Sequence, residues 1–255
     1  YFSLGSIQFT SNGRDNLGSS NPREMGIDVG YSRKLSGKLG LGLAARFIHS
    51  GLVNNMASSG YDYQNGTAVA ADIGLYYDNR SEEDGFTFGA ALSNLGTKIA
   101  YIKDAAEKDF IPANMGIGVS WNKVINEIHT VSIGLDVNKL LVAVPEGDSP
   151  DAVSRYRKKG VAESWGNSFT DFPGQASISA GLEYWYNHFF AVRAGYYTEA
   201  KNRGDRQYLT TGIGLKYNGI GFNFSYLVPT GNGVNQNPLS NTLRFSLLFH
   251  FNNAY

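Results

Sequence analysis

Four histidines are the side chains with the widest chemical range in this sequence, because imidazole binds metals and transfers protons near neutral pH. None belongs to an HExxH or His-x-His spacing, which would bring two imidazoles to one ion. Cysteine is absent, which excludes thiolate ligands and disulfides. We therefore expect no metal and no other cofactor, and we interpret the histidines as ordinary loop, turn and inner-face residues: His49, His129, His188 and His250.

The glycine-rich stretch 37–42 resembles a phosphate-binding loop only superficially. Its glycines do not follow the GxGxxG spacing, and no helical pattern comes after them. In the same way, no local motif such as G-x-S-x-G selects one serine, histidine and aspartate as a catalytic set. The spacing of these residues predicts no enzyme.

Charged side chains of both signs recur at alternate positions within otherwise apolar segments. In a barrel they would point inward and form a salt-bridge network that stiffens the structure, and the alternative is a selective permeation path. The mixture of signs favours the network. Its members would be Asp28, Arg46, Asp72, Asp136, Glu183, Arg193, Lys216 and Arg244.

The composition limits the class of protein that carries these residues. Only 17% of the residues are charged, against about 25% in a typical soluble protein. Lys plus Arg equals Asp plus Glu at 22 each, so the positive excess needed for nucleic acid binding is missing. No run approaches 18 apolar residues, which excludes a transmembrane helix. A membrane protein of this composition has to be a β-barrel.

Alternation with a period of two runs from end to end and, with the opening segment 1–5 interpreted as a strand, indicates about twelve strands. Each has one apolar face and one face of small or polar residues. A soluble sandwich shares this pattern. Short connections near 34–37, 79–85, 122–128, 187–188 and 218–219 alternate with long ones, as in outer-membrane barrels. The long ones lie near 11–23, 49–66, 96–112, 138–175, 198–206 and 229–240. We therefore predict an all-β fold, one antiparallel transmembrane barrel spanning residues 1–255.

Aromatic residues mark one level of this predicted barrel. Each lies on the apolar face, where a strand approaches a short turn or the C-terminus, and such residues form an interfacial girdle in contact with lipid. The predicted girdle consists of Tyr31, Tyr77, Trp121, Tyr186, Tyr217 and Phe251.

The connection 138–175 is the strongest candidate for function, because loops this long in a compact domain are usually functional or disordered. A mixture of apolar, arginine and aromatic residues is typical of protein-binding surfaces. A solvated loop without a binding role is the alternative. The candidate residues are Leu140, Leu141, Val142, Arg155, Tyr156, Arg157, Trp165, Phe169 and Phe172, and a second loop adds Pro229, Asn237 and Pro238.

Four segments, at 1–9, 110–115, 138–142 and 237–247, resemble the PorV (LptO) family of the Bacteroidetes type IX secretion system. The resemblance implies a fourteen-stranded, FadL-like outer-membrane barrel. It also implies that the N-terminal segment and the first strand pair of the family precede residue 1.

The resemblance further implies a shuttling function. Family members bind the SprA (Sov) translocon, receive cargo that carries a C-terminal signal, and deliver it to the PorU sortase with PorQ and PorZ. A FadL-like transporter of hydrophobic small molecules is the alternative, and it predicts an apolar internal pocket and a gap or kink in the barrel wall. Deacylation of lipopolysaccharide has also been proposed for the family, but no motif in this sequence supports it.

Overall fold

The structure, a computed structural model, describes residues 1–10, 16–52, 63–103, 107–201, 204–230 and 242–249. His250 and three predicted site residues, Asn237, Pro238 and Phe251, lie outside these ranges. The strands are β1 (Phe2–Ser3), β2 (Ile7–Thr10), β3 (Asn16–Ser20), β4 (Arg23–Lys34), β5 (Leu39–Gly51), β6 (Gly66–Asp78), β7 (Gly85–Gly96), β8 (Asn114–Ile125), β9 (His129–Leu140), β10 (Ala176–Tyr186), β11 (Phe190–Glu199), β12 (Gln207–Tyr217), β13 (Ile220–Pro229) and β14 (Leu243–Phe249).

Twelve of these strands form one antiparallel sheet, in the order β1, then β4 to β14 consecutively. The predicted all-β fold and the number of about twelve strands are confirmed. The opening segment is the exception. Only Phe2 and Ser3 join the sheet, whereas β2 pairs with β3 in a separate hairpin, of which only β3 lies within the connection predicted at 11–23. This correction follows from Gly5, which has a φ of 72° and interrupts the extended chain.

The sheet curls but stays open among the described residues, where no pairing joins β14 to β4. Its curvature is visible at the short turns. Glu83 and His188 lie in turns four strands apart, a separation of roughly 19 Å in a flat sheet. Their Oε2 and Nδ1 atoms are 4.0 Å apart. The sheet therefore has a concave inner face and a convex outer face.

The apolar residues of the alternating pattern lie on the outer face and are exposed. Val29 is 71% exposed and Phe245 64% exposed, and every strand from β4 to β14 presents such residues. The accessible surface of 16809 Å² exceeds the roughly 11,000 Å² expected for a compact soluble protein of this length. Among the described residues, no second sheet packs on the apolar face, which contradicts a sandwich.

The short connections fit the twisted hairpins of such a sheet. Asn218 and Gly219 link β12 to β13 with φ values of 47° and 79°. A two-residue type I′ turn needs positive φ at both central residues, and its twist matches that of the strands. All five short connections join the strands at one end of the sheet, and the long connections join them at the other. No helix in the described ranges is long and apolar enough to span a membrane.

Ion pairs tie neighbouring strands together across the inner face at five of the eight predicted positions. Arg46 on β5 bonds to Asp28 on β4 and lies 3.2 Å from Asp72 on β6. Arg193 on β11 pairs with Glu183 on β10, and its Nη1 donates to Asn223 Oδ1 on β13 at 2.7 Å. Each arginine therefore links three strands or more. The other three predicted positions, Asp136, Lys216 and Arg244, form no ion pair with another described residue.

The β6–β7 ladder contains a bulge beside the first of these clusters. The register shifts between Ala71 and Ile73, and Asn94 on β7 adopts a φ of 55°. The backbone N–H of Asn94 donates to Asp72 Oδ1 at 2.7 Å, and Arg46 donates to the Asn94 side chain. Polar side chains thus fill the irregularity in the wall.

Candidate binding surface at the long-loop end

Two of the long connections fold against each other at the long-loop end of the sheet. The first, 97–113, packs into the concave side, where Ile99 and Ile111 contact Ala68 and Ala70 of β6. The Tyr101 hydroxyl donates to Ser50 Oγ at 3.0 Å, which fixes the connection to β5. This connection forms the floor beneath the second one.

The second connection, predicted at 138–175, is folded rather than extended. Strand β9 continues through Leu140 into its first positions. It is followed by helices α1 (Pro150–Lys158) and α2 (Val161–Asn167) and by two short 3-10 turns, Ser168–Asp171 and Pro173–Gln175. Ser149 caps α1 by accepting a bond from the Ala152 N–H at 3.2 Å, and Pro150 occupies the first turn. Proline and a serine cap both favour helix initiation.

Lys98 holds the C-terminal end of α1. Its ammonium donates to the carbonyl oxygen of Arg157 at 2.7 Å and to that of Lys159 at 2.5 Å. It also lies 4.2 Å from the centroid of the Phe110 ring. Burial lowers the pKa of Lys98 below its usual value, and nearby Asp109 and Glu163 oppose this shift. A cation is stabilising there because the last carbonyls of a helix lack partners.

Further contacts join α1 to the floor connection. Arg157 Nε lies 2.8 Å from Asp109 Oδ1, and the Ser154 hydroxyl donates to Glu107. The rings of Tyr156 and Phe110 are 5.3 Å apart. Tyr156 and Arg157, both predicted to bind a partner, therefore hold α1 to residues 97–113.

Replacing Lys98 with methionine is expected to loosen α1 while preserving most of the packing. Loss of two charge-assisted bonds, discounted because the site is only half buried, corresponds to about 1.4 kcal/mol, or a ten-fold change. Hydrogen exchange of the amides of residues 150–158 should then accelerate roughly ten-fold. Lys108→Met, at an exposed lysine of the same connection, is the control and should leave this exchange rate unchanged. Equal rates in the two variants would contradict the capping role.

The apolar residues at the start of the second connection, predicted to bind a partner, are mostly buried. Leu140 is half-buried, and Leu141 and Val142 are buried, so the last two do not contribute an exposed surface. The Leu141 N–H donates to the carbonyl of Ala113 at 2.7 Å, which makes this stretch an additional pairing with the floor. The physical reason is that apolar side chains next to a strand end gain more from packing under the helices than from facing water.

The remaining predicted residues lie on two separate parts of the surface. Arg155 projects from the exposed side of α1 together with Lys158. Neither of these two cations forms an ion pair with any residue in the described ranges. Half-buried Trp165 belongs to α2, whereas Phe169 and Phe172 lie at the rim, with their rings 6.5 Å apart and stacked at 22°. The structure thus separates a basic top, Arg155 and Lys158, from an aromatic rim, Phe169 and Phe172.

Lys139 lies directly under the aromatic rim and is fully buried. Its Nζ atom donates to the carbonyl oxygen of Ser168 at 2.7 Å and lies 5.2 and 5.5 Å from the Phe169 and Phe172 ring centroids. Neither Lys98 nor Lys139 was among the predicted site residues. The sequence does carry a signal for Lys139, because this residue is the one charged side chain at the outward, mainly apolar positions of β9.

The remaining predicted positions lie elsewhere. Pro229 is half-buried at the end of β13. Trp121 is half-buried beside Phe86, with ring centroids 6.4 Å apart. The other described members of the predicted girdle are exposed on the outer face near the short turns: Tyr31, Tyr77, Tyr186 and Tyr217.

Several solved structures are similar to this chain at low identity. They include two crystal structures of the Pseudomonas putida toluene transporter TodX and one of the Ralstonia pickettii toluene transporter TbuX. The first TodX structure is 13% identical to this chain, with a TM-score of 0.48, and the match covers 89% of this chain and 70% of TodX. The second is 14% identical, with a TM-score of 0.44, and the match covers 89% of this chain and 71% of TodX. TbuX is 13% identical with a TM-score of 0.40 over 82% and 64%. Toluene transport is a property of those proteins.

No curated protein matches the sequence significantly. The profile of the family described as "Type IX secretion system protein PorV" matches residues 1–147, which is more than half of the 255 residues. This match covers the strands from β1 to β9 and the whole floor connection. The chain belongs to the PorV family of the type IX secretion system.

Proposed function

We propose that this protein is an outer-membrane barrel that binds cargo with a C-terminal signal on its long-loop end. It would carry that cargo from the SprA (Sov) translocon to the PorU sortase with PorQ and PorZ. Membership of the PorV family supports a role in type IX secretion. The observation that carries the proposal is the combination of a continuous exposed apolar outer face with a folded layer of connections at one end only.

The outer face favours placement in a membrane. Monomeric soluble proteins rarely expose contiguous apolar patches larger than a few hundred Å². Here such residues are exposed on every long strand, for example Ile27, Val192 and Leu247. The exposed Tyr31, Tyr77, Tyr186 and Tyr217 would lie at the lipid interface of the short-turn end and contact phospholipid, whereas lipopolysaccharide would contact the outer face near the long connections. The long-loop end would then face out of the cell.

The basic top offers a surface for cargo that does not depend on chemistry within the barrel. Arg155 and Lys158 are three residues apart on α1, so their side chains project from the same side of the helix. The contacts of Lys98, Arg157 and Tyr156 hold this helix in place, which lowers the entropy lost on binding. A shuttle needs only different affinities for its partners in different complexes.

Charge reversal at the basic top tests the cargo site. The double variant Arg155→Glu, Lys158→Glu is expected to weaken binding of a purified C-terminal-signal domain roughly ten-fold, because exposed charge pairs contribute about 0.2–1 kcal/mol each and reversal adds repulsion. The dissociation constant would be measured by biolayer interferometry in detergent. Lys34→Glu with Lys38→Glu makes the same change in charge at the short-turn end and should leave binding unchanged.

Shortening the connection between 146 and 172 extends this test. We expect the shortened protein to lose C-terminal-signal cargo in a pull-down from outer membranes. Undiminished capture, together with unchanged affinity in the Arg155 and Lys158 double variant, would remove the connection from the proposed cargo site.

Transport of a hydrophobic small molecule is less well supported. A cavity of about 860 Å³ on the concave face is lined largely by small residues such as Gly74, Ala90 and Ser120, and its surface is more apolar than polar. The bulge in the β6–β7 ladder is bridged by Asp72, Asn94 and Arg46. An apolar pocket with a gap in the wall was the expectation for such a transporter. The cavity is compatible with that expectation, whereas the bridged wall provides no gap at this bulge and favours the secretion role.

A further inference from the structure

The register of the sheet places Lys139 on the outer, apolar face. Lys139 pairs with Met115 of β8 and with Ala176 of β10. Two residues earlier, Val137 pairs in the same way with Ile117 and Ile178, which are exposed on the outer face. Since successive side chains of a strand alternate between faces, Lys139 projects from the same side as these apolar residues.

This lysine is nevertheless hidden. It is 0% exposed, because the segment 168–175 folds over the end of β9 and covers it. The Ser168 carbonyl accepts a hydrogen bond from its ammonium at 2.7 Å, and the Gln175 side-chain oxygen lies 3.5 Å from it. The faces of two phenyl rings complete the enclosure. The covering segment therefore passes over the outer wall of the sheet, not over its concave side.

The surface that this segment presents outward is aromatic. Phe169 is 48% exposed and Phe172 is 41% exposed, although each also contacts the ammonium. Their rings lie against the ammonium of Lys139, the last outward residue of β9, at the long-loop end of the apolar face. A polar group in contact with lipid is costly, whereas aromatic rings are enriched at the membrane–water interface.

We infer that residues 168–172 form a lipid anchor, in which Phe169 and Phe172 insert into the headgroup–acyl boundary of the outer leaflet while Lys139 holds the segment from below. The occupant is a lipid surface, because both rings are exposed on the side of the sheet that carries the apolar face. This inference rests on the proposed membrane placement. It assigns the aromatic rim to lipid and leaves the basic top available for cargo.

Single-cysteine labelling tests the anchor, since the chain contains no native cysteine. Phe169→Cys and Phe172→Cys would each carry a nitroxide in vesicles of phosphatidylcholine and phosphatidylglycerol. Electron paramagnetic resonance would compare collisions with oxygen, which concentrates in lipid, and with a water-soluble nickel chelate. Heat-modifiable migration in gels would confirm that each labelled variant is folded. Val192→Cys on the outer face and Arg155→Cys on α1 provide the lipid and water references.

The label at position 169 or 172 should give an oxygen-to-nickel collision ratio at least three-fold above that at 155 and below that at 192. A ratio equal to that at 155 would place the rim in water and overturn the anchor alone. Low collision rates with both reagents would indicate contact with protein, and would also overturn it. If position 192 itself gave the ratio found at 155, the membrane placement would fail together with the anchor.

Discussion

Replacing Gly96 with alanine is expected to destabilise the sheet strongly. Gly96 ends β7, and a Cβ atom there would lie 2.8 Å from the Cα and Cβ atoms of Ala70 and closer still to the carbonyl oxygen of Val69. Two of these three atoms belong to the backbone, so a rotamer change does not relieve the clash. Ala70 has little room to move, because Ile99 and Ile111 of the floor connection pack on the same side.

The cost should reach the upper end of the range for overpacked sites, about 3 kcal/mol. Relief of the clash would require separating β6 from β7 beside the bulge, where Thr97 donates its N–H to Val69 at 2.9 Å. We expect a lower midpoint of urea unfolding in detergent, and a smaller folded fraction in heat-modifiability gels.

Gly26→Ala is the matched control for this substitution. Gly26 lies within β4, and nothing approaches within 4 Å of the position that its Cβ would occupy. An added methyl group there should change stability by no more than about 0.5 kcal/mol, as at other unconstrained surface sites. If Gly96→Ala and Gly26→Ala unfold at the same urea midpoint, β6 and β7 can separate enough to accommodate the methyl group, and the predicted clash is wrong.

The main sheet could be predicted from the sequence because strand alternation is local. Whether Val29 or Phe245 lies in a core or on the outer face is not a local property, yet the small inner residues and the asymmetry of the connections indicated the outer face, where the structure exposes both residues. The open edge between β4 and β14 has no such local signal, because closure depends on strands far apart in the chain.

The loop layer shows where this kind of prediction fails. Its interpretation as a binding surface used composition, and composition does not distinguish a residue that packs from one that is exposed. For this reason Leu141 and Val142 were predicted to bind a partner, whereas the structure buries both side chains. The start of α1 did carry a local signal in Ser149, Pro150 and Asp151, which are typical of a helix N-terminus. Lys98 could not be identified from the sequence, because its partners are about 60 residues away along the chain.

Replacing Lys139 with methionine is expected to release the aromatic rim. Methionine fills a similar volume but cannot donate a hydrogen bond to the Ser168 carbonyl. A buried carbonyl oxygen that loses its donor costs about 1–3 kcal/mol. The two rings also lose a cation that lies within 6 Å of each centroid. Hydrogen exchange across residues 168–175 should accelerate roughly ten-fold or more, while exchange in β9 and β10 stays slow because their ladder is intact.

Lys123→Met separates this effect from the general loss of a positive charge. Lys123 on β8 projects from the same face as Lys139, but it is exposed and pairs only with Asp84 at 2.8 Å among the ion pairs of the described residues. Exposed pairs contribute little, so the 168–175 segment should exchange as in the unmodified protein. Slow exchange in Lys139→Met would mean that ring packing alone holds the segment on the outer wall. In that case Lys139 would be tolerated on the apolar face because residues 168–175 cover it, but it would not stabilise the position of that segment.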